Sequence, residues 1–267
     1  MAESLGARVA SGVVLAVVGA AAAYVGGWAF NALVAVAAVA MLWEWDRLCG
    51  GSGRGPLLAV HTAVAVIVVG FAGLGRPVEG LVAAALGAAV AVFVAAQTRR
   101  HAGWALAGLA YTVVPALAAV WLRADSGAGR VAVLWLFAVI WATDTAAYFT
   151  GRTLGGPKLA PRLSPGKTWA GVAGGTAAAC LAGLAVAIVA DFGPVWALVL
   201  ASAVLSLVGQ GGDLAISGMK RHFDAKDSGH IIPGHGGVLD RLDSTVASVL
   251  LLAALLFALQ AWGLRWP

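Results

Sequence analysis

The chain alternates long apolar runs with short polar breaks. Nine runs stand out, near residues 9–25, 29–45, 57–75, 80–97, 103–122, 131–150, 169–190, 194–212 and 243–262. Each is about 17 to 22 residues long, the length a helix needs to cross a hydrocarbon core roughly 30 Å thick. A helix satisfies its own backbone hydrogen bonds in lipid, whereas an isolated strand leaves donors and acceptors unpaired there. The pattern therefore predicts an all-α fold, a polytopic integral membrane helical bundle of about nine transmembrane helices. The first run has some features of a secretory leader. A second run follows after only Gly26 and Gly27, however, which predicts a tight hairpin of two retained helices.

Composition agrees with this reading and adds an orientation. The chain is 61% hydrophobic and 11% charged, with a mean hydropathy of +0.91, where soluble domains carry roughly 25% charged residues. With the N-terminus placed in the cytoplasm, thirteen of the 17 Lys and Arg fall on the cytoplasmic side, and only Arg76, Arg123, Arg130 and Arg265 fall on the other. Positive charge collects inside, so the expected topology is N-terminus in and C-terminus out. The pI near 9.7 is then a topology signal and does not call for nucleic acid as a partner; anionic membrane lipids are the second candidate partner. Cys49 and Cys180 lie far apart and suggest neither a disulfide framework nor a cysteine metal site.

Two regions differ in kind. Residues 1–130 are Ala, Val, Leu and Gly with little polar content, which predicts packing and lipid-facing helices and candidate oligomer contacts. Glu44 and Asp46 stand beside Trp43 and Trp45 at a helix end and read as part of an interfacial anchor. Residues 131–267 read as a catalytic region with polar cytoplasmic loops. Six of the 12 acids fall there on the cytoplasmic side or at adjoining helix ends: Asp144, Asp213, Asp224, Asp227, Asp240 and Asp243.

Three constellations carry candidate chemistry. Asp144 lies within an apolar span, sharing a helical face with Tyr148 and Gly151, and an acid there is costly unless it pairs, binds a cation or faces water. The loop after it offers Arg152, Lys158 and Lys167 among glycines, a plausible phosphate cradle, although the spacing of a Walker loop is absent. In the second, Gly209, Gly211 and Gly212 allow close backbone approach just before Asp213, and Ser217 and Lys220 share its face if the helix continues. The third is PGHGGVLDRLDS, Pro233 to Ser244, where a helix starting near Leu239 sets Asp240, Asp243 and Ser244 on one face. One acid near a helix start is explained by the dipole, but the full set of His235, Gly236, Gly237, Asp240, Arg241 and Asp243 is not. Carboxylates without a cysteine cluster suit a hard cation such as Mg²⁺ rather than zinc, and bases around such a cation suit polyphosphate.

These residues resemble the phosphatidate cytidylyltransferase family, also called CDP-diacylglycerol synthases. The family signature S-x-x-K-R-x4-K-D followed by P-G-H-G-G-x-x-D-R-x-D is matched by Ser217, Lys220, Arg221, Lys226, Asp227 and then Pro233, Gly234, His235, Gly236, Gly237, Asp240, Arg241 and Asp243. The upstream stretch from Asp144 to Thr168 is similar to a second family segment, so the resemblance covers roughly Trp141 to Ser244. The chain departs where Ala170 and Ile216 stand at positions that often hold acids.

The resemblance implies transfer of a cytidylyl group from CTP to phosphatidate, giving CDP-diacylglycerol and pyrophosphate. It implies Mg²⁺ on Asp213 and Asp240, with K⁺ as a candidate second cation, and phosphate binding by Lys220, Arg221, Lys226 and Arg241. Asp144, Ser164 and Lys167 become candidates for the nucleotide side, with Ser217, Gly236 and Gly237 as further binding positions. Asp227 and Asp243 are candidates to position bases or magnesium-bound water, and His235 to bind phosphate or shape the glycine turn. The resemblance implies a homodimer; the Lys and Arg count sets the site toward the cytoplasm, and the short, loop-poor chain suggests a bacterial inner membrane. Two rival readings are a CTP-dependent transferase with another lipid acceptor and a polytopic transporter; a transporter would need polar residues threading several spans to the far side.

Overall fold

The computed structural model describes residues 5–124, 127–232 and 236–261. Among them lie nine helices: α1 Leu5–Val25, α2 Gly27–Leu48, α3 Pro56–Gly73, α4 Pro77–Gln97, α5 Ala102–Arg123, α6 Ala128–Thr153, α7 Trp169–Ala190, α8 Val195–His222 and α9 Leu239–Ala261. Eight of them, α2 to α9, are long and apolar enough to cross a membrane. Large apolar side chains such as Leu86 and Phe93 on α4 and Leu181 and Ile188 on α7 remain exposed. Such surfaces belong against lipid tails.

Local chemistry sets the helix ends. Gly26 and Gly27 take φ values of 71° and 53°, which turns α1 into α2 with almost no connection, as the hairpin expectation requires. Pro56 and Pro77 open α3 and α4, where a missing N–H costs nothing. Thr168 caps α7, its Oγ1 accepting the Gly171 N–H at 3.1 Å.

Two features depart from the sequence expectation. The 151–168 connection contains an antiparallel hairpin, β1 Lys158–Ala160 with β2 Ser164–Thr168, so the fold is helical with one short two-stranded element. In addition, α8 does not stop with its apolar run near residue 212 but continues to His222. That extension puts Asp213, Ser217 and Lys220 on one continuous helix.

The chain forms two compact units. The first holds α1 to α5 together with Phe223–Leu242; the second holds α6 to α8, the hairpin and α9 from Asp243 onward. In the first, α3 packs against α2, α4 and α5 around Leu42, Ala65, Val68 and Val113, all nearly or fully buried. In the second, α6 packs on α7 and α7 on α8. Gly175 permits the first of these contacts, because a β-carbon there would lie 2.9 Å from the Thr143 carbonyl oxygen. Polar ties add to the packing: Trp135 Nε1 donates to Ser202 Oγ at 2.9 Å, and Thr143 Oγ1 donates to Ser206 Oγ at 2.9 Å. Such bonds each contribute about 1 kcal/mol or less between helices in lipid.

Both cysteines are free thiols. Cys49 closes α2, and burial pushes its pKa up from an ordinary value near 9 to about 12. Only the thiolate is a good nucleophile. Cys49 is therefore expected to resist N-ethylmaleimide in detergent at pH 8 to 9 and to react once the chain is unfolded, which mass spectrometry of the labelled protein reads directly.

Candidate active site

In the second unit, three helices and the hairpin bring charged groups together. Asp213 on α8 is half-buried and forms an ion pair with Lys167 of β2, Nζ to Oδ2 at 2.5 Å. Ser217, one turn on, donates from Oγ to Asp213 Oδ1 at 3.4 Å, a long bond. Asp243 on α9 is 7% exposed and its Oδ1 accepts the Ser244 N–H at 2.7 Å. Asp243 also lies within Coulomb range of Asp213, Asp144 and Lys167. The acids of α6, α8 and α9 thus share one neighbourhood with one ammonium group.

Small residues make this approach possible. A β-carbon at Gly212 would stand 2.8 Å from the Asp243 carbonyl oxygen, and one at Gly209 would stand 2.8 Å from Ser248 Oγ. The backbones of α8 and α9 therefore meet closely just below Asp213 and Asp243. Gly211, expected to share this duty, faces open space instead.

The remaining candidates of this unit sit at its polar end. Asp144 is exposed on α6, and Tyr148, one turn on, accepts a bond from Arg152 at 2.9 Å. Ser164 opens β2 opposite Ala160. Lys220 is half-buried and Arg221 exposed in the last turn of α8, where Arg221 Nε reaches the Leu163 carbonyl at 3.5 Å. Ile216 is buried at 3% exposure on α8, while Ala170 is half-buried in the first turn of α7.

In the first unit, Ser228 and Gly237 of the stretch before α9 bond to its first turn. Lys226 and Asp227 are exposed in that stretch, and Arg241 is exposed in the first turn of α9. Gly236 takes φ 79°, a left-handed turn that favours glycine, and bridges to Ile232. Asp240 is half-buried, and its Oδ2 accepts the Ser228 N–H at 2.9 Å, the Ser228 hydroxyl at 2.9 Å and the Gly237 N–H at 3.3 Å. His235 lies outside the described residues.

Glu44 belongs with this loop, which corrects its reading as an interfacial anchor. Its side chain is fully buried, and it accepts the Val238 N–H at 2.9 Å, the Leu239 N–H at 2.8 Å and the Ser228 hydroxyl at 3.1 Å. The first amides of a helix have no partner within it, and a carboxylate there also meets the positive end of the helix dipole. Asp46 is also buried, accepting the Gly53 N–H at 3.0 Å and pairing with Arg100 at 3.4 Å. The flanking tryptophans suggested a membrane interface; the signal that pointed the other way is an acid inside an apolar run, which is costly unless paired. Beside Ser228 opens a cavity of about 510 Å³, lined among others by Trp43, Arg47, Asp227 and His230.

The donor set fits a hard cation. It offers carboxylate oxygens without thiolates, and among the described residues no group of three or more His, Cys, Asp or Glu forms a ready-made cage. Mg²⁺ characteristically takes one or two carboxylates and completes its shell with water and substrate phosphate.

The fold is that of a helical protein with eight helices long and apolar enough to cross a membrane among the described residues, and charged groups gathered at helix ends. The comparisons then give the family. Residues 6–259 match the model of the cytidylyltransferase family, and the chain belongs to that family. It is 41% identical over 250 residues to the phosphatidate cytidylyltransferase of Brucella suis biovar 1, covering 94% of this chain and 92% of that one. The same figures hold for the phosphatidate cytidylyltransferase of Brucella melitensis biotype 1. The phosphatidate cytidylyltransferase of Staphylococcus saprophyticus is 48% identical over 125 residues, covering 46% of this chain and 48% of its own length.

Proposed function

We propose that this chain transfers the cytidylyl group of CTP to phosphatidate, releasing pyrophosphate and forming CDP-diacylglycerol. The observation that carries this reading is the unbroken run of motif residues from Ser217 to Asp243, in a chain 41% identical to phosphatidate cytidylyltransferases over 94% of its length. A phosphate oxygen of phosphatidate attacks the α-phosphorus of CTP in line. The new P–O bond forms as the bond from the α-phosphorus to the bridging oxygen breaks, and pyrophosphate leaves with the electron pair. The lipid phosphate arrives ionised, so no general base is required.

Two polyanions must meet, and the barrier is chiefly one of charge and position. Lys220, Arg221, Lys226 and Arg241 hold phosphate oxygens in this reading, and their places at the end of α8, in the following loop and in the first turn of α9 are accessible to such groups. Lys167 neutralises Asp213 and would be available to a phosphate if that carboxylate held a cation. Asp213 and Asp240 are each candidates to hold Mg²⁺, which would supply Lewis-acid neutralisation of phosphate oxygens. Asp243 and Asp227 orient neighbouring bases. Asp144 and Ser164 serve the nucleotide side in this reading, with Ser217 supporting Asp213 and the Gly236–Gly237 turn supporting Asp240. The Lys and Arg asymmetry supports a site that faces the cytoplasm, and the bacterial relatives support a bacterial inner membrane.

A substrate panel tests this assignment. Detergent-purified protein with Mg²⁺ is offered each nucleoside triphosphate in turn, with phosphatidate or with other lipid monophosphates as acceptor. The expected result is turnover with CTP and phosphatidate well above other combinations. Preference for a different lipid phosphate would move the acceptor assignment while keeping the nucleotide chemistry.

A further inference from the structure

Glu44 is buried at a place where burial is expensive, and α9 does not need a distant carboxylate merely to begin. A local Ser, Thr, Asp or Asn caps most helices at lower cost. Glu44 instead reaches from α2 to the amides of Val238 and Leu239, and its Oε2 also meets Ser228 Oγ at 3.1 Å. The same hydroxyl lies 2.9 Å from Asp240 Oδ2.

A serine hydroxyl carries one hydrogen. It donates to one carboxylate at a time, so its second contact sets oxygen against oxygen. The backbone N–H groups of Ser228 and Gly237 offset the charge on Asp240, and those of Val238 and Leu239 offset the charge on Glu44. A cation on Asp240 would relieve the remaining repulsion and free the hydroxyl hydrogen for Glu44. Space for a ligand lies alongside, since Ser228 also lines the cavity of about 510 Å³.

We propose that Glu44 is a positioning residue for the cytidylyl transfer: it fixes the turn before α9 and, through the shared hydroxyl of Ser228, sets how strongly Asp240 holds a divalent cation. The proposal rests on the assignment of Asp240 as a cation ligand. Glycine leaves room for this clamp: a β-carbon at Gly229 would stand 2.7 Å from Glu44 Oε1 and one at Gly237 would stand 2.5 Å from Glu44 Oε2, so either would displace the carboxylate.

The test uses the full-length protein in detergent with a non-hydrolysable CTP analogue, titrated with Mn²⁺ and followed by electron paramagnetic resonance. The Mg²⁺ concentration for half-maximal turnover is measured in parallel, and thermal unfolding checks the fold. Ser228→Ala and Glu44→Gln are expected to weaken Mn²⁺ binding about 10-fold or more and to raise the Mg²⁺ requirement by a similar factor, the usual scale for groups that orient a metal ligand. Ser228→Thr, which keeps the hydroxyl, is expected to restore most of the loss. Wild-type Mn²⁺ binding and Mg²⁺ requirement in Ser228→Ala would overturn the proposal, even if Glu44→Gln failed to fold. Wild-type Mn²⁺ binding and turnover in Asp240→Asn would instead overturn the cation assignment beneath it.

Discussion

Asp213→Asn is expected to lower cytidylyl transfer at least about a hundredfold while leaving the fold in place. The amide keeps the shape of the carboxylate and an oxygen able to accept from Ser217. It loses the charge that faces Lys167 Nζ at 2.5 Å and that would bind a cation. Charge neutralisation by a metal contributes several kcal/mol at such a site, and each 1.4 kcal/mol or so is tenfold in rate. Stability should change by about 1 kcal/mol or less, because the two side chains are 26% and 31% exposed and the pair is partly screened. Steady-state kinetics alongside thermal unfolding in detergent separates the two effects. Activity within threefold of wild type would remove Asp213 from the chemistry.

Gly212→Val is expected to abolish activity by a different route. Its β-carbon would stand 2.6 Å from Ala247 Cβ and 2.8 Å from the Asp243 carbonyl oxygen, and neither belongs to a flexible side chain. The two helices must separate at the level of Asp213 and Asp243. Overpacking of this kind costs about 1–3 kcal/mol, more where backbone has to move. A large fall in unfolding temperature with loss of turnover is therefore expected, and Gly212→Ala should show a milder form of both. Gly211→Ala is the control: nothing lies within 4 Å of its added carbon, and alanine is the better helix former. Equal damage from the changes at Gly211 and Gly212 would contradict the proposed crossing.

Much of this was legible in the chain because lipid enforces simple rules. The apolar runs marked the helices, and the spacing of Asp213 to Ser217 placed both on one face, as the 3.4 Å contact bears out. The start of α9 at Leu239 was also readable from the polar-to-apolar change. What escaped depended on distant partners. GQGGDLAI looks like the end of a helix by composition, since glycine is a poor helix former, yet packing of Gly209 against Ser244 and Ser248 and of Gly212 against Asp243 and Ala247 carries α8 through to His222. The Lys158–Thr168 hairpin is short, with Pro and Gly within SPGKT, so no alternating pattern announces it. Glu44 meets partners 184 to 195 residues away, and no local periodicity encodes such a contact.

The most direct measurement follows label from CTP into lipid. Protein purified in detergent is incubated with Mg²⁺, phosphatidate and CTP labelled at the α-phosphate, and the organic-soluble label is counted for wild type and for Asp240→Asn. Label entering lipid with wild type, at least about a hundredfold less with the variant, is the predicted result. No label in lipid with wild type, across several lipid phosphates and with K⁺ added, would contradict cytidylyl transfer as the activity of this chain.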